Sequence, residues 1–303
     1  MTAIPQTRTP LIANVICMLS MFVWAAGLPA AEILIGKVPP LPLTAARMAM
    51  AAAVLLPLWL ALEGAAPLRT AHWGKGIIIG GLTIGLGAFL LVIGQSMTGP
   101  VTVAIISASM PLIGITIEVI LDGRKITPAL IVGLILALIG GIMALGSGAA
   151  SVNLGLGALF CFASVLSFTF GSRLTVTRFP DLSPLGRTTI TLSGAAILTT
   201  VAALVHAGLG ATGPDWSLIG WREAGALAVF SIGGLAISQV LWIMSVGQLG
   251  IGLASLHINA TPFYVMLILF GLGAAFSWPQ ALAAAVVGLG VLIAQGVFSQ
   301  NRT

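Results

Sequence analysis

Charge is what this sequence has least of. Of 303 residues, 12 are Lys or Arg and 7 are Asp or Glu, 6% in all. A soluble domain carries about a quarter charged residues. So few charges do not cover a soluble surface, which excludes a soluble enzyme, a nucleic-acid binder and a disordered chain as first readings. The two cysteines, Cys17 and Cys161, both lie in apolar runs with no metal-ligand neighbour, which speaks against a structural disulfide or a metal site. The three histidines, His72, His206 and His257, are far apart and form no HxxxH or HxxxxD pair. A membrane-embedded enzyme would need nucleophile, base or metal ligands clustered at one depth, so it ranks low, and no cofactor or metal is expected. No GxxxxGK[ST] occurs; Gly36-Lys37 lacks both the upstream glycine and the Ser/Thr. ATP coupling through a P-loop is therefore unsupported.

In place of charge there is hydrocarbon. Hydrophobic residues make up 58% of the chain, and its mean hydropathy is +1.14. Lipid is the solvent this composition implies. The net charge of +5 then reads as topology rather than affinity for nucleic acid. A helix needs about 20 apolar residues to cross the hydrocarbon. Ten such runs are present, approximately Leu11–Ala31, Leu43–Leu62, Gly76–Ser96, Val101–Leu121, Pro128–Leu145, Leu154–Ser172, Pro184–Ala207, Ala224–Gly247, Ile251–Phe270 and Pro279–Phe298. They are continuous rather than alternating, which excludes a β-barrel. The expectation is an all-α integral membrane protein of ten transmembrane helices. Arg8, an apolar stretch and Ala30-Ala31 together imitate a signal peptide. The 21 uncharged residues from Leu11 to Ala31 exceed a usual signal core, so the run is read as a retained span.

Lys and Arg collect on cytoplasmic loops. With the N-terminus inside, the inner segments hold Arg8, Arg69, Lys75, Arg124, Lys125, Arg173, Arg178 and Arg302, and the outer ones Lys37 and Arg222. That asymmetry makes both termini cytoplasmic, in a bacterial-type inner membrane.

The halves echo each other. Gly80-Gly81-Leu82 recurs as Gly233-Gly234-Leu235, and Gly94-Gln95 as Gly247-Gln248, both at an offset of 153. Pro111 and Pro128 recur as Pro262 and Pro279 at 151, and Pro40 and Arg47 as Pro180 and Arg187 at 140. Chance matches in a Gly- and Leu-rich chain are the bland alternative; preserved order with drifting offsets favours duplication. The expected division is 1–150 and 151–303, five spans each. An odd number inserts the second repeat upside down, as in many secondary transporters, with the solute site at the midplane between halves.

Trp24 in the first span, Arg47 opening the second, and the stretch from Ala104 to Gly146 carry a resemblance. That stretch holds Ser-Ala-Ser-Met-Pro111-Leu, the turn Asp122-Gly123-Arg124-Lys125-Ile126-Thr127, and Gly140-Gly141. The chain resembles the EamA type of the drug/metabolite transporter (DMT) superfamily and, within it, the YddG aromatic amino acid exporters. Asp122-Gly123 inverts the family's glycine-acid order, and the second copy has Gly273 and Ala275 where acid and base are expected. The resemblance implies a ten-helix carrier whose first span, with Trp24, borders the cavity.

Polar groups in hydrocarbon usually face a bundle interior or a cavity. Ser238, Gln239, Trp242 and Ser245 share one helix face; His257, Thr261 and Tyr264 share another, beside Ser255, Asn259 and Pro262. Their repeat partners are apolar: Gly85, Leu86 and Phe89 for Ser238, Gln239 and Trp242, and Ile106 for His257. A cavity with an apolar wall facing a hydrogen-bonding wall would suit an amphipathic solute with a flat side chain. The expected cavity residues are Trp24, Phe89, Ser238, Gln239, Trp242, His257, Asn259 and Tyr264. The competing reading of the polar set is interhelical glue. Trp59, Trp73, Trp216, Trp221 and Trp278 near span ends read as an interfacial belt. Gly76/Gly80 and Gly81/Gly85 are spacings that let helices approach closely. Pro111 and Pro262 are expected as kinks or hinges. Arg47, Arg187 and Glu118 are expected as structural charges, Glu118 pairing with Arg124 or Lys125.

No carboxylate falls at a midplane, so the expectation is facilitated diffusion with weak or no proton coupling. The expected partners are the bilayer and a small-molecule solute, an aromatic or neutral amino acid before a drug or another metabolite. No nucleic acid is expected, and one chain suffices to enclose a path.

Overall fold

The computed structural model describes residues 10–98, 103, 106–146, 155–211, 213–273 and 275–295. Among them every regular element is a helix; the one β-type contact is an isolated bridge between Ile35 and Val38. The long helices are α1 (Pro10–Leu34), α2 (Pro40–Glu63), α3 (Trp73–Thr98), α4 (Met110–Asp122), α5 (Pro128–Gly146), α6 (Leu156–Thr177), α7 (Pro184–Gly208) and α8 (Trp221–Leu249). They are followed by α9 (Ile251–Ser255), α10 (Thr261–Gly271) and α11 (Trp278–Ala294). In hydrocarbon the backbone must bond to itself, which leaves helices as the structure for continuous apolar runs. Leu204, Val205 and Ile120 stand out from the surface, the reverse of a soluble protein's exterior.

Ten crossings were expected. By length and composition, six described helices suffice: α1, α2, α3, α6, α7 and α8. The bent pair Ile251–Ala260 and Phe263–Gly271 makes a seventh if taken as one span. Pro128–Met143 and Ala281–Ala294 are apolar but shorter. In the fourth run helix α4 follows a turn at Ala108-Ser109, and residues 101, 102, 104 and 105 lie outside the described residues.

The two prolines expected inside helices sit instead in first turns. Pro111 opens α4, and Pro262 opens α10 after a 3-10 turn, Leu256–Ala260. A first-turn N–H has no intrahelical partner, so proline forfeits nothing there. The 44° bend of the ninth run is thus a break between two helices, which Pro262 follows.

Packing follows the small residues. The close pairs are α5 with α11, α3 with α6, α2 with α7, α1 with α8, α4 with α9, and α7 with α3. Gly133 and Gly290 face each other where α5 crosses α11: a Cβ on either would come within 2.6 Å of the other's carbonyl oxygen. All four glycines of the two GxxxG spacings, Gly76, Gly80, Gly81 and Gly85, lie against α7.

Two π-helical segments interrupt α3 and α8, at Gly80–Gly85 and Val229–Ile237. Each contains one copy of the repeated Gly-Gly-Leu triplet. A π turn displaces carbonyls from the usual ladder, and side chains of neighbouring helices reach them. Ser167 and Ser164 of α6 donate to the Thr83 and Gly87 carbonyls, at 2.9 and 2.6 Å. At the second segment Arg47 of α2 donates to the Phe230 and Gly234 carbonyls, both at 3.2 Å. Ser20 of α1 donates to the Ser238 carbonyl just beyond it, at 2.8 Å.

Candidate functional site

Around the second π segment the helices leave a cavity. About 90 Å³ of it is open to the centre of a water molecule, room for several waters or part of a small solute. Both halves of the sequence line it. Ser20, Met21 and Trp24 come from α1, Arg47 and Met48 from α2, Ile84, Gly87, Ala88 and Leu91 from α3. Ser107 and Met110 come from the start of the fourth run, and Ser164, Val165 and Phe168 from α6. The largest share is that of α8, with Gly234, Leu235, Ser238, Gln239 and Trp242, and Ile258 completes the wall.

The aromatic part is fixed by packing. Trp242 is 2% exposed, its Nε1 donates to Ser172 Oγ at 3.0 Å, and its ring stacks on Phe168 at 6.3 Å between centroids. The polar part is less committed. Ser238 Oγ donates back to the Gly234 carbonyl at 3.0 Å. Gln239 is buried yet makes no hydrogen bond with the described residues, although a buried amide ordinarily has partners. Arg47 is 5% exposed, and its guanidinium lies 3.7 Å from the Phe230 ring centroid.

Of the expected cavity residues, Trp24, Ser238, Gln239 and Trp242 line this space, and Phe89, His257, Asn259 and Tyr264 do not. The 3-10 turn changes the phase of the ninth run, so His257 and Asn259 turn into helix contacts. His257 Nδ1 lies 3.2 Å from the Ala254 carbonyl oxygen, and Asn259 Nδ2 donates to the Ala137 carbonyl of α5 at 3.1 Å. Tyr264 packs edge-on against Phe22 of α1. Phe89 is half-buried, and its neighbour Leu86 is 42% exposed on the outer face. The anticipated division into an apolar and a polar wall does not hold, because the first half brings Arg47, Ser20 and Ser107. Arg47 and Phe168 are among the lining residues that sequence reasoning did not assign to the cavity. A signal for Arg47 existed: α2 carries no acid within a turn of it.

The other expected structural charges act as helix caps and ties. Arg187 donates to the Phe179 and Pro180 carbonyls, at 2.8 and 2.9 Å, beyond the end of α6. Glu118 pairs with Arg124, and its Oε1 accepts the Gly252 N–H at 3.0 Å. It fits under Gly250, whose φ of +80° makes the turn between α8 and α9. Glu118→Ala removes both partners at a buried position. The expected loss is about 3 kcal/mol, read as a lower midpoint in thermal unfolding, with Glu118→Gln losing about half because it keeps the acceptor. Of the expected belt, Trp221 and Trp278 stand out at 95% and 77% exposure. Trp59 corrects the reading: it is fully buried, with Nε1 on Glu63 at 3.1 Å.

Comparison with known proteins finds similarity to transporters. Residues 11–146 match the EamA-like transporter family. The chain is 26% identical over 275 residues to an uncharacterized transporter of Bacillus subtilis (strain 168), YyaM, covering 88% of both chains. A protein of known crystal structure shares the fold, with a TM-score of 0.77 at 22% identity over 97% of this chain and 99% of that one.

Proposed function

We propose that a chain whose first half matches the EamA-like transporter family works, over its whole length, as a carrier exporting small organic solutes by alternating access. The carrying observation is the cavity itself: enclosed by both halves, floored by stacked Trp242 and Phe168, and lined by the buried, unpartnered amide of Gln239. Aromatic and neutral amino acids, the solutes of the YddG exporters it resembles, fit that mixture of flat apolar surface and hydrogen-bonding groups.

The reading includes ten membrane segments in two inverted repeats of five. The contacts support it. Under exchange of the halves, α3 with α6 becomes α8 with α1, and α7 with α3 becomes α2 with α8; each of these pairs is in contact. The pairs α2–α7, α4–α9 and α5–α11 map onto themselves. Both third segments carry a π interruption, and both fourth segments break just before a proline, which supplies joints for rocking half-helices. Ion pairs respect the alternation of sides: Asp122–Arg173 joins two segment ends counted as cytoplasmic, and Lys37–Glu223, at 2.7 Å, two counted as outer. The protein resides in a bacterial-type inner membrane with both termini cytoplasmic, and works as a monomer.

Transport is downhill, without ATP and without obligatory proton coupling, since no carboxylate lines the cavity. The test is uptake of labelled tryptophan and threonine into liposomes holding the purified protein, with and without a pH gradient. Saturable tryptophan flux that ignores the gradient and falls about ten-fold in Gln239→Ala, the loss of about one hydrogen bond to a polar solute, is expected. Steep dependence on the gradient defeats facilitated diffusion, and absence of both fluxes shifts the reading to a drug or other metabolite exporter.

A further inference from the structure

Arg47 is the only charged residue among the described lining residues, and nothing neutralises it. The chain has seven acids, and all are engaged elsewhere. Glu118 and Asp122 pair with Arg124 and Arg173, Glu223 with Lys37, and Asp181 lies near Arg187. Glu32 accepts from Gln95, Glu63 from Trp59 and Ser183, and Asp215 from Ser217. A cation buried without a counter-ion is costly, more so in a membrane. Carbonyl oxygens and the Phe230 face offset part of that cost but carry no full charge. No acid of the chain supplies the missing charge.

The guanidinium has donors to spare. Of its five N–H groups, Nε serves the Phe230 carbonyl and one on Nη2 the Gly234 carbonyl. The pair on Nη1 and the second N–H on Nη2 make no hydrogen bond with the described residues. Phe230 and Gly234 belong to one π segment, so Arg47 is held by its edge in a fixed orientation, as a planar fork must be to receive a carboxylate. The Gly234 carbonyl is shared with Ser238 Oγ, which sets Arg47 beside Ser238 and Gln239 on the same wall.

We propose that Arg47 is the anion anchor of the cavity: the carried solute presents a carboxylate to the free edge formed by its Nη1 and Nη2 N–H groups, and Trp242 and Phe168 receive the apolar remainder. This rests on the reading of the cavity as a solute site and narrows the solutes to organic carboxylates. A purely structural Arg47, stapling α2 to α8, is the opposing view.

Unmodified full-length protein answers first. Its melting temperature is followed with indole-3-propionate, tryptophanamide and tryptamine, which share one ring system and of which only the first carries a carboxylate. Stabilisation by indole-3-propionate and not by the other two is expected; equal effects of all three, or no effect of any, overturn the anchor. Tryptophan uptake and its competition by the same compounds follow in Arg47→Gln and Arg47→Lys. Arg47→Gln should raise the half-saturating tryptophan concentration at least ten-fold, the loss of one charged bidentate contact, and abolish the preference for indole-3-propionate over tryptamine. Arg47→Lys, a point charge without the fork, should restore part of that preference. A staple would lower the amount of folded protein and leave the preference unchanged. Stabilisation by indole-3-propionate without tryptophan uptake keeps the anchor and defeats the amino acid reading. Tryptophan uptake blocked equally well by tryptamine does the reverse.

Discussion

Gly80→Ala is expected to abolish stable folding, whereas Gly233→Ala, the same change in the second Gly-Gly-Leu triplet, is expected to leave the fold intact or slightly stabilise it. A Cβ on Gly80 would stand 1.8 Å from the Thr191 carbonyl oxygen, 2.6 Å from its carbon and 2.7 Å from its Cα. All three are backbone atoms of α7, so no side chain can swing aside. Relief requires α3 and α7 to move apart, which also strips the contacts of Gly76, Gly81 and Gly85. Ordinary overpacking costs about 1–3 kcal/mol; a rigid backbone contact of this kind should exceed about 3 kcal/mol. At Gly233 nothing lies within 4 Å of the added atom. There Ala replaces Gly in a helix and gains a few tenths of a kcal/mol to about 1. Size-exclusion profiles and melting curves of the two purified variants check the pair. Equal behaviour would mean that the α3–α7 contact is not as close as described.

Trp242→Ala should lower tryptophan flux per folded molecule more than ten-fold and destabilise by about 3–5 kcal/mol. It removes the ring stacked on Phe168, enlarges the cavity and takes the Nε1 donor from Ser172. Trp242→Phe keeps a stacking ring and loses only the N–H, so its flux should stay within a few-fold of the unmodified protein. The necessary control is a buried tryptophan outside the cavity. Trp59 is fully buried against Phe179 and Ile190. Trp59→Phe should lower the melting midpoint by removing the bond to Glu63 and leave flux per folded molecule unchanged. If both tryptophans affected flux only in proportion to folded protein, Trp242 would be a packing residue and not part of the solute path.

Of the eight expected cavity residues, Trp24, Ser238, Gln239 and Trp242 line the cavity and four do not, for two separate reasons. Ser238, Gln239 and Trp242 lie on the regular helix that follows the π segment, so spacing along the chain gave their common face correctly. His257, Asn259 and Tyr264 were assigned faces by the same arithmetic, but a 3-10 turn has three residues per turn and shifts every later position. Nothing local in Leu256–Ala260 announces that turn; the proline after it is equally compatible with a kinked α-helix. Phe89 lies off the cavity for a different reason. It was inferred from Trp242 by the sequence offset of 153, and matching positions need not share surroundings, as those of Gly80 and Gly233 show.

By itself the sequence determined the apolar solvent, the helical class and the crowding of glycines at helix crossings. These are properties of composition and period, which lipid solvation and the hydrogen-bonding needs of the backbone translate directly into helices. Tertiary structure alone decided that Arg47, read along the chain as a structural charge near a segment end, reaches the carbonyls of a π segment about 180 residues away and stands in the cavity wall without a counter-ion. Charge pairing depends on which helices meet and at what height. Those are set by contacts between glycines and backbones far apart in the chain, and no local pattern records them.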